Sequence, residues 1–319
     1  MAFNVAALAD YNSQVTGPII ADITYKGNTI EYMSIAEGIK YQQPLNLVST
    51  SPYFQGGDAV TNPTGSAVFS QRNITVSKRT AFDQWNLQLL TDKYLGKMAL
   101  PEGSYEEAFA IMDVMTSELV KKAQQATDDF IWNAEEGVVF PGTTVTAAGP
   151  GLKELTSGST FIADGGVAAT GVGANAIVGS TAYEQLTAML ADADANILDA
   201  EDLSFFVGTK VFQRIVNGLT TQNLFHFDPT SVVSRGGMYE VPLPGYPNVK
   251  IVGVYGLRNS ERVILGPSSD CYIGVDLLSD TENFKLWYDE NTDTIRYRLR
   301  NKIGSQLAHP NYWVSNQLA

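Results

Sequence analysis

The longest periodic stretch of the chain runs from Ser104 to Gly137. Apolar residues recur at Ala108, Met112, Met115, Leu119, Ala123, Ala126 and Phe130, in steps of three and four that trace one face of an α-helix. Ile111, Val114, Ile131 and Trp132 widen the stripe, so this helix is predicted to bury broadly rather than along a narrow seam. Ser104 and Glu107 stand in the S-x-x-E arrangement that satisfies free amides in a first helical turn. No Pro or Gly interrupts the run before Gly137, which suits a left-handed terminator. At 1.5 Å per residue the rod spans about 50 Å. A coiled coil would show the same period, but the flanks are strand-rich, which favours a spine laid across a sheet.

Those flanks change period. Residues 1–22 show none and carry too little apolar surface to fold alone, so they read as an arm. Ile23-Thr24-Tyr25 and Thr29-Ile30-Glu31-Tyr32-Met33 surround Lys26-Gly27-Asn28 and predict a hairpin. Leu45, Leu47 and Val48 predict one strand, and Val68 to Val76 a second. Between them, Ser51 to Asp58 and Asn62-Pro63-Thr64-Gly65 make a Gly/Pro-rich tip that includes Tyr53, Phe54, Gly56 and Gly57. A long two-stranded projection is poorly stable alone and is expected to lie on a neighbouring chain. Ala81 to Met98 reads as a helix with Trp85, Leu89 and Leu90 buried. After Gly137, a Gly/Thr/Ala-rich region through Gly179 predicts short strands and turns.

Further on, helices and strands alternate. A helix is predicted from Ser180 to about Ala193, a buried strand at Leu203 to Val207, and a helix from Lys210 to Gly218. Strands follow at Val249 to Tyr255 and Arg262 to Leu265, giving a compact α/β unit at 176–265 inserted in a larger frame. Phe284 to Asp289 and Thr294 to Ile303 flank Glu290-Asn291-Thr292-Asp293, a hairpin signal. In the second of these strands Ile295, Tyr297, Leu299 and Ile303 face one way, while Arg296, Arg298, Arg300 and Lys302 face the other. Glu135 and Glu136 close the spine, where two acids oppose the helix dipole. The cations are therefore expected to pair with these glutamates or with carboxylates of an adjacent subunit. The alternative is a solvated face.

Composition sharpens this picture. The chain has 319 residues, 34 acidic against 21 basic, and a net charge of −13. Charged residues make up 17%, below the ~25% usual for soluble domains, which favours large subunit interfaces. The acidic balance argues against tight general binding of nucleic acid, though a smooth acidic surface can sit beside DNA without sticking to it. The single cysteine, Cys271, lies in an apolar run and reads as a buried thiol. No Lys or Arg precedes Lys26, and no apolar run approaches the ~20 residues that span a bilayer. A soluble protein made in a cytoplasm is expected.

No catalytic or cofactor pattern is complete in this chain. His226 and His309 lack partners at ligand spacing, and neither G-x-S-x-G nor a P-loop is present. Gly171-Val172-Gly173-Ala174-Asn175-Ala176 imitates the start of a dinucleotide fingerprint without a convincing strand before it. Asp192, Asp194 and Asn196 have calcium-loop spacing, but Ile197 and Leu203 stand where that loop needs Gly and Glu. A carboxylate pair for glycoside hydrolysis leaves no fixed spacing, and nothing points towards one. The expectation is a protein without catalytic residues, cofactor or metal.

An arm, a β projection, a long spine, an inserted α/β unit and a returning hairpin follow one another in a particular order. In that order, in the Ser104–Glu136 spine followed by Gly151-Leu152-Lys153-Glu154-Leu155, in Val241-Pro242-Leu243-Pro244-Gly245-Tyr246-Pro247, and in the closing stretch Ile295 to Val314, the chain resembles the major capsid proteins of tailed bacteriophages. Encapsulins share that shell fold. The resemblance implies an α+β fold with an N-terminal arm at 1–40, and an extended loop and following helix at 41–100. A peripheral domain with the spine would occupy 101–175, an axial domain 176–265, and a returning hairpin of the peripheral domain 266–319. It further implies a homo-oligomer of hexamers and pentamers, an icosahedral virion shell assembled in the host cytoplasm around double-stranded DNA that it does not bind specifically. Portal, scaffolding or minor capsid proteins would be its partners, and no membrane is involved. Two departures matter. The arm begins at Met1, without the assembly-guiding domain some members carry, so scaffolding is expected from a separate protein or is unnecessary. No lysine lies between Lys40 and Lys78, so the shell is expected to be held without covalent cross-links. The alternatives are an encapsulin-like compartment and, from another class, an enzyme with an unrecognised acid pair.

Overall fold

The computed structural model describes residues 29–51, 66–86, 105–133, 151–170, 176–222, 233–235, 238–276, 284–289, 291–292 and 294–316. In chain order its strands are β1 (Ser34–Ala36), β2 (Gln42–Ser51), β3 (Ser66–Thr75), β4 (Ser77–Asn86), β5 (Val167–Ala168), β6 (Leu203–Gly208) and β7 (Val233–Arg235). Then come β8 (Met238–Leu243), β9 (Tyr246–Val254), β10 (Val263–Pro267), β11 (Cys271–Val275), β12 (Phe284–Asp289), β13 (Thr294–Leu307) and β14 (Val314–Ser315). The helices are α1 (Tyr105–Asn133), α2 (Leu152–Leu155), α3 (Gly158–Ala163), α4 (Ala182–Ala191) and α5 (Thr209–Gln222).

The spine is α1, 29 residues long and so about 44 Å from end to end. Its last turns carry the buried Phe130, Ile131 and Trp132. These side chains meet both large sheets at once. Trp132 packs on Phe206 of β6 with ring centroids 5.4 Å apart. The same core holds Val252 and Val254 of β9, Ile264 of β10, Ile273 of β11, and Ile303 and Leu307 of β13. The apolar end of the spine is thus the joint between the sheets, and its burial supplies the main local driving force.

The first sheet is built on β13. One edge of β13 carries β4 from Thr294↔Asn86 to Ile303↔Ser77. Its other edge carries β12 from Thr294 to Leu299 and β11 from Ile303 to Leu307, with β1 parallel to β11 beyond. The second sheet has the order β5-β14-β10-β6-β9-β8-β7. Every residue of its central strand β6 is buried, as a strand covered on both faces requires. Leu203, Phe205 and Val207 join Leu186, Met189 and Leu190 of α4 and Phe212, Ile215 and Leu219 of α5, whereas Phe206 turns towards the spine. This sheet also recruits β5 and β14, which lie outside residues 176–265.

Several local expectations are corrected. Ala81 to Asn86 is strand rather than helix, because β4 forms a ten-residue ladder with β13 that a helix there would forgo; residues 87–98 lie outside the described ones. Ile30–Tyr32 is a 3-10 turn rather than a strand, and the preceding Thr29 is held by the spine. The Gly/Thr/Ala-rich region contains the short helices α2 and α3, with only β5 as strand among its described residues. The helix anticipated at Ser180 begins at Ala182 after a 3-10 turn, and α5 runs on to Gln222.

Candidate assembly surfaces

Strands β2 and β3 pair with each other over ten residues, from Gln42↔Thr75 to Ser51↔Ser66. Among the described residues they form a sheet of their own. The base is anchored. Ile74 and Val76 are buried with Ile39, the Gln306 amide donates to the Asn73 carbonyl at 2.9 Å, and Arg72 pairs with Asp164 at 2.7 Å. Further out the ribbon is bare. Val48 and Phe69 stand opposite one another, 55% and 77% exposed. Val68 is exposed as well, on the opposite face by alternation. Tyr53, Phe54, Gly56 and Gly57 lie outside the described residues.

The strand pairings show what surrounds the four cations. Arg296, Arg298, Arg300 and Lys302 stand opposite Gln84, Phe82, Thr80 and Lys78 of β4. On the other edge Arg296 stands opposite Trp287 and Arg298 opposite Lys285. Cross-strand partners share a face, so these residues make one surface. Its alternate face bears Arg79, Trp85, Ile295, Tyr297 and Leu299, and that is the side turned to the spine. The Arg79 guanidinium lies 4.4 Å from the centre of the Phe130 ring, with its pKa lowered to about 9 by burial. The cations therefore sit on the face away from α1. Arg296 pairs with Asp289 at 2.9 Å and Lys302 with Asp276, both within the same sheet region rather than on the spine. Among the described residues no carboxylate pairs with Arg298 or Arg300, whose Nε atoms are buried without a hydrogen-bond partner. Glu135 and Glu136 lie outside the described residues.

A second polar cluster escaped the sequence reading. Asp128 of α1 is buried and accepts from the Thr29 N–H at 3.0 Å, the Gly256 N–H at 2.8 Å and the Thr29 hydroxyl. Trp132 Nε1 donates to Thr29 Oγ1 at 2.8 Å, and the Asn133 amide donates to the Gly256 carbonyl at 2.6 Å. Beside it Asp129 pairs with Arg258. A Cβ on Gly256 would stand 2.4 Å from Trp132 Cδ1 and 2.6 Å from the Asp128 carbonyl oxygen, so only glycine permits this approach. Burial pushes the Asp128 carboxyl up to about 6, against the opposing pull of its hydrogen bonds. The cluster ties the spine to the segment before β1 and to the turn after β9. Sequence carried one signal for it, an Asp128-Asp129 pair set beside an apolar stripe. Asp270 does similar work near the C-terminus, accepting from the His309 N–H and Trp313 Nε1, each at 2.9 Å.

Among the described residues no group of three or more His, Cys, Asp or Glu could hold a metal ion. Asp194 caps its own turn at the Asn196 N–H, and Asp192 accepts from the Thr170 hydroxyl. A cleft of about 390 Å³ between α4 and the β8–β9 turn has Asp199 as its one acidic lining residue. No described helix is long and apolar enough to cross a membrane.

No family model matches the chain, and no curated protein matches it in sequence. Solved structures do match it. A chain of the satellite phage P4 procapsid that includes the size determination protein Sid aligns with a TM-score of 0.58 at 9% identity, covering 96% of this chain and 93% of its own. The chain has the phage major-capsid fold. A chain from Gordonia phage Cozz aligns with a TM-score of 0.56 at 12% identity over 92% of this chain and 86% of its own. A virus-like particle from Pyrococcus furiosus aligns with a TM-score of 0.50 at 10% identity, covering 95% and 97%. At these identities the capsid fold is shared while the side chains on its surfaces are this chain's own.

Proposed function

We propose that this chain is a structural shell subunit that assembles with copies of itself as hexamers and pentamers into a closed icosahedral capsid around double-stranded DNA. The observation that carries the reading is the β2–β3 ribbon, bare at Val48, Val68 and Phe69. An isolated two-stranded ribbon is marginal in water and its open edges invite pairing. A neighbouring copy covers both, and repetition of one such contact closes a shell. The subunit is non-catalytic, resides in the virion after assembly in the host cytoplasm, and works with a portal and separate scaffolding or minor capsid proteins. It encloses its DNA without specific contacts.

Electron microscopy of the expressed protein, alone and with candidate scaffolding proteins, tests this. Closed particles of uniform size are expected; a monodisperse monomer under every condition would overturn the reading. A protein-filled compartment of encapsulin type is the second reading, favoured because one particle of this fold, a virus-like particle from Pyrococcus furiosus, is named for a cellular organism and not for a phage. Nuclease-protected DNA in particles from an infected host supports the first, and a protein cargo the second.

A further inference from the structure

The face built by β4, β13 and β12 holds a combination that a lone acidic subunit does not require. Along its centre run Arg298 and Arg300, flanked by the exposed Lys78 and Lys285. Within it Phe82, 58% exposed, stacks against Trp287 with ring centroids 6.0 Å apart. Among the described residues none of these four cations has an ion-pair partner, although the chain as a whole carries 34 acids against 21 bases. Arg and large aromatic side chains are the residues enriched at the buried centres of protein interfaces. The arginines are also partly prepared. Their Nε atoms are already out of water and unpartnered, so part of the cost of desolvating each guanidinium is met before any partner arrives. Planar guanidinium groups of this kind suit bidentate carboxylates.

We infer that this face is a contact between subunits, in which Arg298 and Arg300 receive carboxylates of a second copy of the chain over the Phe82–Trp287 pair. The inference rests on the shell reading and adds to it which sheet face is covered and by what chemistry. A second copy is the occupant that charge favours, because the chain's acid excess provides carboxylates wherever two copies meet. Nucleic acid is the competing occupant, since cations interleaved with aromatics also suit a phosphate backbone.

The test uses the full chain. Arg298→Glu, Arg300→Glu and Lys210→Glu, an exposed control on α5 away from this face, are expressed, and their melting is compared with wild type to establish folding. Reversal at either arginine is expected to raise the concentration needed for particle formation at least about tenfold, as loss of a desolvated charge pair does at interfaces. In wild-type particles made from mixed isotope-labelled and unlabelled chains, a zero-length carbodiimide should couple Lys78 or Lys285 to an Asp or Glu of another chain. Should the folded arginine variants assemble like wild type, the inference is wrong while the shell reading stands. Unchanged assembly with loss of retained nucleic acid would assign the face to nucleic acid instead. Failure of wild type to assemble at all would strike the shell reading itself.

Discussion

Asp128 gives the sharpest test of how the spine is held. Replacing it by asparagine keeps the side chain's size and removes its charge. In the native protein burial pushes this carboxyl up to about 6, whereas its ordinary value is 3.8. Between those values the folded chain binds the proton and the unfolded chain does not, so this group makes the protein more stable as pH falls. The gain is complete below the unfolded value and is lost as pH rises through about 6. Its full size approaches about 3 kcal/mol, and the step from pH 7 to pH 5 accounts for roughly 1 kcal/mol of it. Glu261 has the opposite sign. Its hydrogen bond to Arg214 lowers its pKa, so its contribution fades only below the ordinary carboxylate range, outside that window.

At neutral pH the Asp128→Asn variant is a poor discriminator. The introduced amide would present an NH₂ group to either Thr29 or Gly256, and a misplaced buried donor costs about 1–3 kcal/mol. Relief from a buried charge offsets a similar amount. The informative quantity is the difference between wild type and Asp128→Asn at two pH values, read as melting midpoints by tryptophan fluorescence. Wild type should gain on the variant by about 2 °C or more between pH 7 and pH 5, given how midpoints scale in chains this large. Parallel midpoints, or a variant that gains on wild type in acid, would refute the placement of Asp128 in a dry pocket.

Three further outcomes are expected. Gly256→Ala should destabilise by about 1–3 kcal/mol, because its Cβ meets the spine backbone and the Trp132 ring; a melt unchanged from wild type would mean that the turn after β9 yields without cost. Phe69→Asp should leave the melting midpoint within about 1 °C, since the side chain is 77% exposed, yet abolish particles in negative stain. Mature particles run on denaturing gels should give a single monomer band, since the ribbon segment between Lys40 and Lys78 holds no lysine; a ladder of covalent oligomers would count against non-covalent closure.

Where one face of an element is buried, its sequence was readable. The alternation from Ile295 to Leu299 marks the buried face of β13, because period two has only one register that hides the apolar set, and the run Leu203 to Val207, apolar but for Ser204, marks β6 as a buried strand. The spine was legible for the same reason, with Phe130, Ile131 and Trp132 marking its deepest end. Reading failed where long-range pairing outweighed local preference. From Ala81 onward, Trp85, Leu89 and Leu90 suit a helical stripe, but β4 is fixed by a partner more than two hundred residues away, and no local pattern encodes that. The Asp128 cluster failed differently. Its donors Thr29 and Gly256 sit 99 and 128 residues from it, and two of its three bonds come from backbone N–H groups, which are the same in every sequence. Among the candidate residues, the common face of Arg296, Arg298, Arg300 and Lys302 was visible from alternation alone. Their neighbours Phe82, Trp287, Lys78 and Lys285 became visible only through the ladder.

The two unusual surfaces make sense together when the charge balance is considered. A chain with a net charge of −13 repels its own copies at long range, which protects a bare ribbon edge from indiscriminate pairing. That repulsion is weakest where the local charge is positive, and the β4–β13–β12 face is such a place. Apolar burial by Val48 and Phe69 is non-directional and would tolerate many arrangements. Guanidinium–carboxylate pairing is directional and costs most when mismatched. In the proposed shell the ribbon would supply binding strength and the arginines orientation. Altering the apolar positions should therefore abolish assembly, whereas altering the arginines should raise the concentration it needs and change the shape of what forms.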